Sequence, residues 1–158
     1  MEENNKAVII LFSGDMDKVF AAFTIATGAA AAGMDTTLFC TFWGLKAIQK
    51  GNLTGTGLMG KMMGVMNRGG LKRLNPSRFS FGGAGRMMFT KMMNDKGVSP
   101  LSDLLKTMNE LGVHLLGCKM SMDVMEIKRE DLIDEVEDVV GVATFIKEAA
   151  DSKIQLFI

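Results

Sequence analysis

Histidine occurs once in this chain and cysteine twice, and between Thr36 and Asn94 there is neither aspartate nor glutamate. Each scarcity removes a class of chemistry. With His114 alone, and with Cys40 and Cys118 far apart, no zinc site of the usual cysteine and histidine spacing assembles, so no metal and no other cofactor is expected. Two cysteines are too few for a disulfide framework and fit a reducing compartment. The motifs C-x-x-C, H-E-x-x-H, G-x-S-x-G and G-x-x-x-x-G-K-[ST] are all missing, which leaves zincin, serine-hydrolase and P-loop chemistry without their signatures. No run of about 18 or more uncharged apolar residues is present, so nothing spans a bilayer in the ordinary way. The opening M-E-E-N-N-K is acidic and polar and runs straight into a strand, unlike a secretory signal, and a cytoplasmic location is expected.

What is present suits one domain over 1–158. Apolar residues make up 47% of the 158, enough for a sizeable core and too many for general disorder. The formal net charge of zero hides a division. The stretch from Thr36 to Asn94 holds nine lysines and arginines and no acid, leaving nine basic and 18 acidic residues elsewhere. Such asymmetry points to an anionic partner or to attraction between the two regions, within or between subunits.

Residues 6–12, K-A-V-I-I-L-F, form a β-branched apolar run without alternation, as in a strand buried on both faces. Ser13-Gly14-Asp15 makes the turn, with Ser13 or Asp15 as helix cap, and Met16, Val19, Phe20, Phe23 and Ala26 follow at helical spacing. A second strand over 36–42 carries Cys40 near its carboxyl end, and a short helix over 43–50 stops at Gly51. Later, Ser99 caps and Pro100 opens a helix striped by Leu101, Leu104, Leu105 and Met108. Strands follow at 113–116, 138–140 and 153–158, with a helix over 141–151. The alternation predicts an α/β fold, a doubly wound sheet of about five parallel strands with helices on both faces. Ligands of such sheets gather at the carboxyl ends of the strands, where Ser13, Cys40 and Cys118 all fall.

Residues 52–97 break the alternation as a basic insertion rich in methionine and glycine. Met59, Met62, Met63 and Met66 share one helical stripe, and Phe89, Met92 and Met93 begin another, which predicts two short amphipathic helices joined by a turn around Asn75-Pro76. The stripes fit a helical hairpin packed on the domain or on a neighbouring subunit. The sharper alternative is a cationic amphipathic lid that docks on a membrane surface or an acidic protein. Gly55-Thr56-Gly57-Leu58-Met59-Gly60 reads as G-x-G-x-x-G, but no strand immediately precedes it and no acid follows at ribose-binding distance, so a dinucleotide is not expected. Nucleic acid is not expected either, since no recognition motif accompanies the basic residues.

The chemistry of the chain centres on V-H-L-L-G-C-K-M-S-M-D-V-M, residues 113–125. Val113 to Leu116 reads as a buried strand, Gly117 as its break, and Cys118 as the start of the next helix. Unpaired backbone N–H groups at a helix start favour thiolate, and Lys119 adds a cation. Ser121 can hydrogen-bond the first turn; Asp123 can do the same or, if close, oppose the thiolate. The same placement also suits a cysteine that merely packs. His114, in an apolar strand, reads as a core or interface residue with a satisfied ring. A thiolate without a histidine base suits sulfur transfer or disulfide exchange, where no difficult proton transfer is needed.

The blocks V-I-I-L-F-S-G-D-M-D-K, T-F-W-G-L at Thr41 to Leu45, C-K-M-S-M-D-V-M at Cys118 to Met125 and G-V-A-T-F at Gly141 to Phe145 span nearly the whole chain. In them the sequence resembles the DsrE/DsrF-like sulfur-relay proteins, and within these the larger DsrE-related branch often described as peroxiredoxin-like. The resemblance implies a five-stranded parallel α/β domain, commonly a homo-oligomer and often a trimer. It also implies a sulfurtransferase-like carrier whose cysteine takes sulfane sulfur as a persulfide and passes it to a small sulfur-carrier or redox protein. That cysteine is Cys118 here, whereas Cys40 carries no such implied role. Glu126 stands where the resemblance implies glycine.

Overall fold

The computed structural model describes residues 5–158; the residues 1–4, part of the acidic opening read above for location, lie outside it. Five strands, β1 (Lys6–Leu11), β2 (Asp35–Cys40), β3 (His114–Cys118), β4 (Asp138–Val140) and β5 (Ile154–Phe157), form a parallel sheet in the order β4-β3-β2-β1-β5. The chain steps from β1 to β4 in one direction and then returns past β1 to lay down β5. Because parallel crossovers are right-handed, that reversal moves the connecting helix to the opposite face. So α1 (Met16–Ala31) and α4 (Leu101–Glu110) pack side by side on one face, and α6 (Val142–Ala150) covers the other. The doubly wound α/β architecture expected from the alternation is the one that forms.

Strand side chains alternate between these two cores. Ile9, Leu11, Leu38, Cys40 and Leu115 join the larger one beneath α1 and α4. Val8, Phe39, Leu116 and Cys118 join the smaller one beneath Phe145 of α6, whose ring stacks on Phe39 with centroids 4.4 Å apart. The nine-residue α6 packs over this second face through Phe145 and Ala149. Phe157 at its edge stays 68% exposed. Among the described residues no helix is long and apolar enough to cross a membrane.

Several local expectations shift. Gly117 does not break the third strand: it pairs with Cys40 and Val139 in the ladder, and β3 runs on through Cys118. Residues Phe42–Ile48 form a 3₁₀ helix, pulled tight against the end of β1 by Thr41 N–H donating to Leu11 O and Gly44 N–H to Phe12 O. Pro100, not Ser99, holds the cap position of α4. Asp15 holds that of α1 without a side-chain capping bond, its carboxylate accepting instead from Lys18 Nζ, while Ser13 Oγ accepts the Asp15 N–H at 3.1 Å.

The stretch 52–97 holds two helices, α2 (Leu58–Met66) and α3 (Ala84–Asp95), as its stripes predict, with a 3₁₀ turn at Leu71–Arg73 between them. Their orientation is the surprise. The buried residues of α2 are Gly60 and Gly64, while Met59 and Met66 are 71% and 78% exposed. A Cβ on Gly64 would lie 2.1 Å from Thr54 O, so the helix approaches its neighbour through a side that only glycine permits. Most of the methionine stripe is therefore turned outward: Met59, Met62 and Met66 are exposed, and only Met63 is half-buried, against Gln49, Met125 and Ile127. Ser77, donating to the Asp17 carboxylate through its N–H at 2.7 Å and hydroxyl at 2.6 Å, and Met16 N–H, donating to Asn75 O, anchor the middle of the stretch to α1.

Candidate functional site

Cys118 is the last residue of β3 and the cap of α5 (Lys119–Val124). With six residues, α5 is too short to carry much of the helix dipole that the sequence invites one to invoke. The thiol's environment is set by individual hydrogen-bond donors. Burial pushes its pKa up; hydrogen bonding from the Ser121 hydroxyl and N–H, the Thr41 hydroxyl and the Met120 N–H outweighs that and holds the thiol below its ordinary value. Thr41 Oγ1 and Ser121 Oγ lie 2.8 Å apart in a buried contact. Each hydroxyl has one proton, so when one donates to the other, the second keeps its proton for the sulfur. The two side chains thus form a relay ending at Cys118.

The structure brings Ser121 to the thiol and leaves the other expected residues elsewhere. Lys119 pairs with Asp123 one turn along α5, both more than half exposed, so the cation and the carboxylate neutralise each other in solvent. Cys40 faces the opposite core: it pairs in register with Gly117, whose side of the sheet is not that of Cys118, and it is fully buried. Burial alone pushes the Cys40 thiol far above its ordinary value, so it stays protonated, and the two cysteines do not meet. Ser13 follows β1, two strands away from β3, where it lines a depression of about 460 Å³ with Trp43 and Lys46.

Thr41 is the functional neighbour that single-residue reading misses. It sits in the T-F-W-G-L block, one residue after Cys40, and alternation alone puts it on the face opposite Cys40, which is the face of Cys118. Only the β2–β3 register makes the two adjacent, and register is not written in either strand. The following residue, Phe42, has a positive φ of 46°, a strained conformation for a side chain of that size. Its ring packs against Phe12, which in turn stacks on Phe157, each at 5.7 Å, and so an aromatic strip runs along the carboxyl ends of the strands.

His114 lies at the other end of β3. Its ring is satisfied, as expected, but it is not a core residue: with a side chain 46% exposed, it bridges Glu137 through Nδ1 at 2.6 Å and Asp35 through Nε2 at 3.2 Å. The Glu137 hydrogen bond, against a smaller opposing effect of burial and with help from both carboxylate charges, raises its pKa. A raised folded-state pKa stabilises the fold most below the unfolded histidine value and loses that contribution as pH climbs through the folded one. In urea titrations, the stability gap between wild type and His114→Gln should therefore be widest near pH 5.5 and shrink by pH 8.5; a gap independent of pH would refute the assignment.

Comparison with known proteins places this geometry. The sequence matches the DsrE/DsrF/DrsH-like family over residues 3–157. The chain belongs to that family. Two relatives cover 99% of this chain with 99% of their own: an uncharacterized protein, YrkE, of Bacillus subtilis at 37% identity, and the sulfur carrier protein DsrE2 of Allochromatium vinosum at 30%. Among solved structures the ychN protein from E. coli is similar, with a TM-score of 0.54 over 97% of this chain and 99% of that one; at 13% identity the likeness is one of fold.

Glu126, where the family resemblance implies glycine, has a positive φ of 53°, the conformation glycine adopts most easily. Its carboxylate accepts the N–H groups of Thr56 at 2.6 Å and Gly57 at 3.3 Å and the Thr56 hydroxyl at 3.0 Å. These bonds hold the carboxyl below its ordinary pKa. A Cβ on Gly60 would fall 1.9 Å from Oε2, so the G-x-G-x-x-G segment cradles the Glu126 carboxylate of the same chain. The clasp joins α2 to the turn that ends α5. In Glu126→Gly the backbone strain is relieved and the clasp lost, and hydrogen exchange at Thr56 and Gly57 should quicken while that of β3 stays unchanged; unchanged exchange at both amides would contradict the clasp.

Proposed function

We propose that the protein is a sulfur-relay protein, a sulfurtransferase of the persulfide-carrier type, that holds sulfane sulfur on Cys118 and delivers it to a small sulfur-carrier or redox protein. The observation that carries this reading is the cluster of donors from Thr41, Met120 and Ser121, which favours a thiolate without a histidine base. Kinship with a relative named as a sulfur carrier protein supports it. In the step, the Cys118 thiolate attacks the outer sulfur of a donor persulfide; the new Sγ–S bond forms as the donor S–S bond breaks, and the donor leaves as a thiolate. An acceptor thiolate then attacks the outer sulfur on Cys118 and frees the original thiolate. No net oxidation occurs, and the donors that held the thiolate serve the persulfide anion in turn.

Burial sets the conditions of access. Cys118 is 1% exposed and packed against Phe39 and Phe145, so a donor reaches it only when its cover shifts. Iodoacetamide should accordingly modify the folded protein faster than a bulky maleimide does, reversing their order on free cysteine. The relay itself is tested by loading the reduced protein with polysulfide and releasing bound sulfur with cyanide. About one sulfur atom per chain is expected from wild type and Cys40→Ser, and almost none from Cys118→Ser. Full release from Cys118→Ser would overturn the reading.

A second reading, a docking module, draws on the outward stripe of α2. Leu58, Met59 and Met66 are exposed beside Lys61, in a stretch without an acidic residue before Asp95. Such a surface suits an anionic membrane or an acidic protein partner. Co-sedimentation with anionic liposomes that fades as salt rises would favour it; no binding at low salt would remove the membrane version. Assembly into a homo-oligomer, a trimer by resemblance, would cover the aromatic strip of Phe12, Phe42 and Phe157.

A further inference from the structure

We propose that the groove between α3, the Leu71–Arg73 turn and the start of α4 is a binding site for a long-chain carboxylate, with the chain in the groove and the head group at Lys72 and Arg86. The groove encloses about 590 Å³, within the range of small-molecule sites. Its floor is apolar and belongs to the main core: Met16, Leu74 and Leu101 are 6%, 0% and 6% exposed. Leu71 and Met93, half-buried against that core, form the walls, and Met87 overhangs from α3. The groove exists because α3 stands off the body: its one buried residue is Gly85, with Phe89 and Met93 as its half-buried contacts to the core. An open apolar trough of this depth gains free energy from any apolar chain that displaces its water.

The rim says what such a chain would carry. Lys72, Arg86 and Lys91 line the groove, and the one carboxylate there, Asp95, is already paired with Lys91 at 2.9 Å. Among the described residues neither Lys72 nor Arg86 has a carboxylate partner. Two cations thus remain uncompensated at the edge of an apolar trough, in a stretch that contains no acid until Asp95. The complement of that arrangement is one aliphatic chain ending in one anion, and the fork of Arg86 fits the two oxygens of a carboxylate. A neutral lipid would leave both cations unmatched; a small anion would leave the trough empty. The site shares no residue with the Cys118 cluster, so it stands or falls apart from the sulfur reading.

Titration calorimetry with dodecanoate, below the concentration at which it forms micelles, tests the site on the full chain. Saturable binding of about one dodecanoate per chain is expected, weakened about tenfold or more when dodecanol replaces it or when Lys72→Glu and Arg86→Glu are combined. Thr90→Trp, which fills the trough from α3, should abolish binding. The charge variant alters only the rim, so it keeps the test decisive if the tryptophan variant fails to fold. Dodecanol binding as tightly as dodecanoate, unsaturable uptake of many molecules per chain, or attachment to phosphatidylglycerol vesicles without binding of free dodecanoate would each overturn the proposal.

Discussion

Combining Thr41→Val with Ser121→Ala will slow iodoacetamide alkylation of Cys118 at neutral pH by more than about tenfold, given that hydrogen bonds to a charged group are worth about 1.5–3 kcal/mol. The reason lies in the pair. Because the two hydroxyls are 2.8 Å apart, either can turn its proton to the sulfur once the other is gone, so each single replacement is partly compensated. The double variant should cost more than the two singles together, the non-additivity of groups that act as a unit. What remains in it is the Met120 and Ser121 N–H groups against the upward push of burial, and the pH at which reactivity appears moves up. Stability should change little, because removing both partners of a buried hydrogen bond and keeping their shape is nearly neutral. Far slower alkylation with an unchanged melting curve is thus the expected signature. Equal alkylation rates in wild type and the double variant would mean that the hydroxyls only pack.

Gly44→Ala acts on the same site through the backbone. A Cβ at residue 44 would lie 2.0 Å from the Leu11 carbonyl oxygen and 2.7 Å from its carbon. Both are backbone atoms of β1, the strand held in register by β2 and β5 on either side, so neither can yield cheaply. A cost of about 3 kcal/mol or more is expected, at the upper end of overpacking effects. The 3₁₀ segment would have to lift away from β1, and Thr41, whose N–H bonds Leu11 O at 3.0 Å, would be drawn from the thiol with it. Urea denaturation should therefore report a large loss of stability and alkylation a slower Cys118. A stable Gly44→Ala protein would show that the T-F-W-G-L segment does not sit against β1 as described.

The parallel sheet was legible because its signal is redundant. The apolar runs of β1 and β2 and the helical stripes of α1 and α4 between the strands each point the same way. Cys118 at the junction of β3 and α5 could be found by the same means. What periodicity could not decide is which side of an element faces the protein. The stripe of Met59, Met62, Met63 and Met66 is real, yet only Met63 turns toward the protein and α2 packs through Gly60 and Gly64, since the close approach of backbones overrode the apolar face. Parity and register were hidden for the same reason: Cys40 and Cys118 end neighbouring strands, and a shift of one residue decides whether they share a face. Lys119, next to the thiol in sequence, is one half of an exposed i, i+4 pair with Asp123, so adjacency along the chain does not bring its charge to the sulfur.

In the proposed relay, sulfur is carried on Cys118 and on no other residue of the chain. The direct measurement is peptide mass spectrometry after the reduced protein has been treated with a persulfide donor and trapped with an alkylating reagent. The expected result is the mass of one or more added sulfur atoms on the Cys118 peptide, an unmodified Cys40 peptide, and loss of the added sulfur when a thiol acceptor is supplied. Sulfur found on Cys40, or on neither cysteine while both remain slow to alkylate, would contradict the account and leave Cys118 a packing residue of the smaller core.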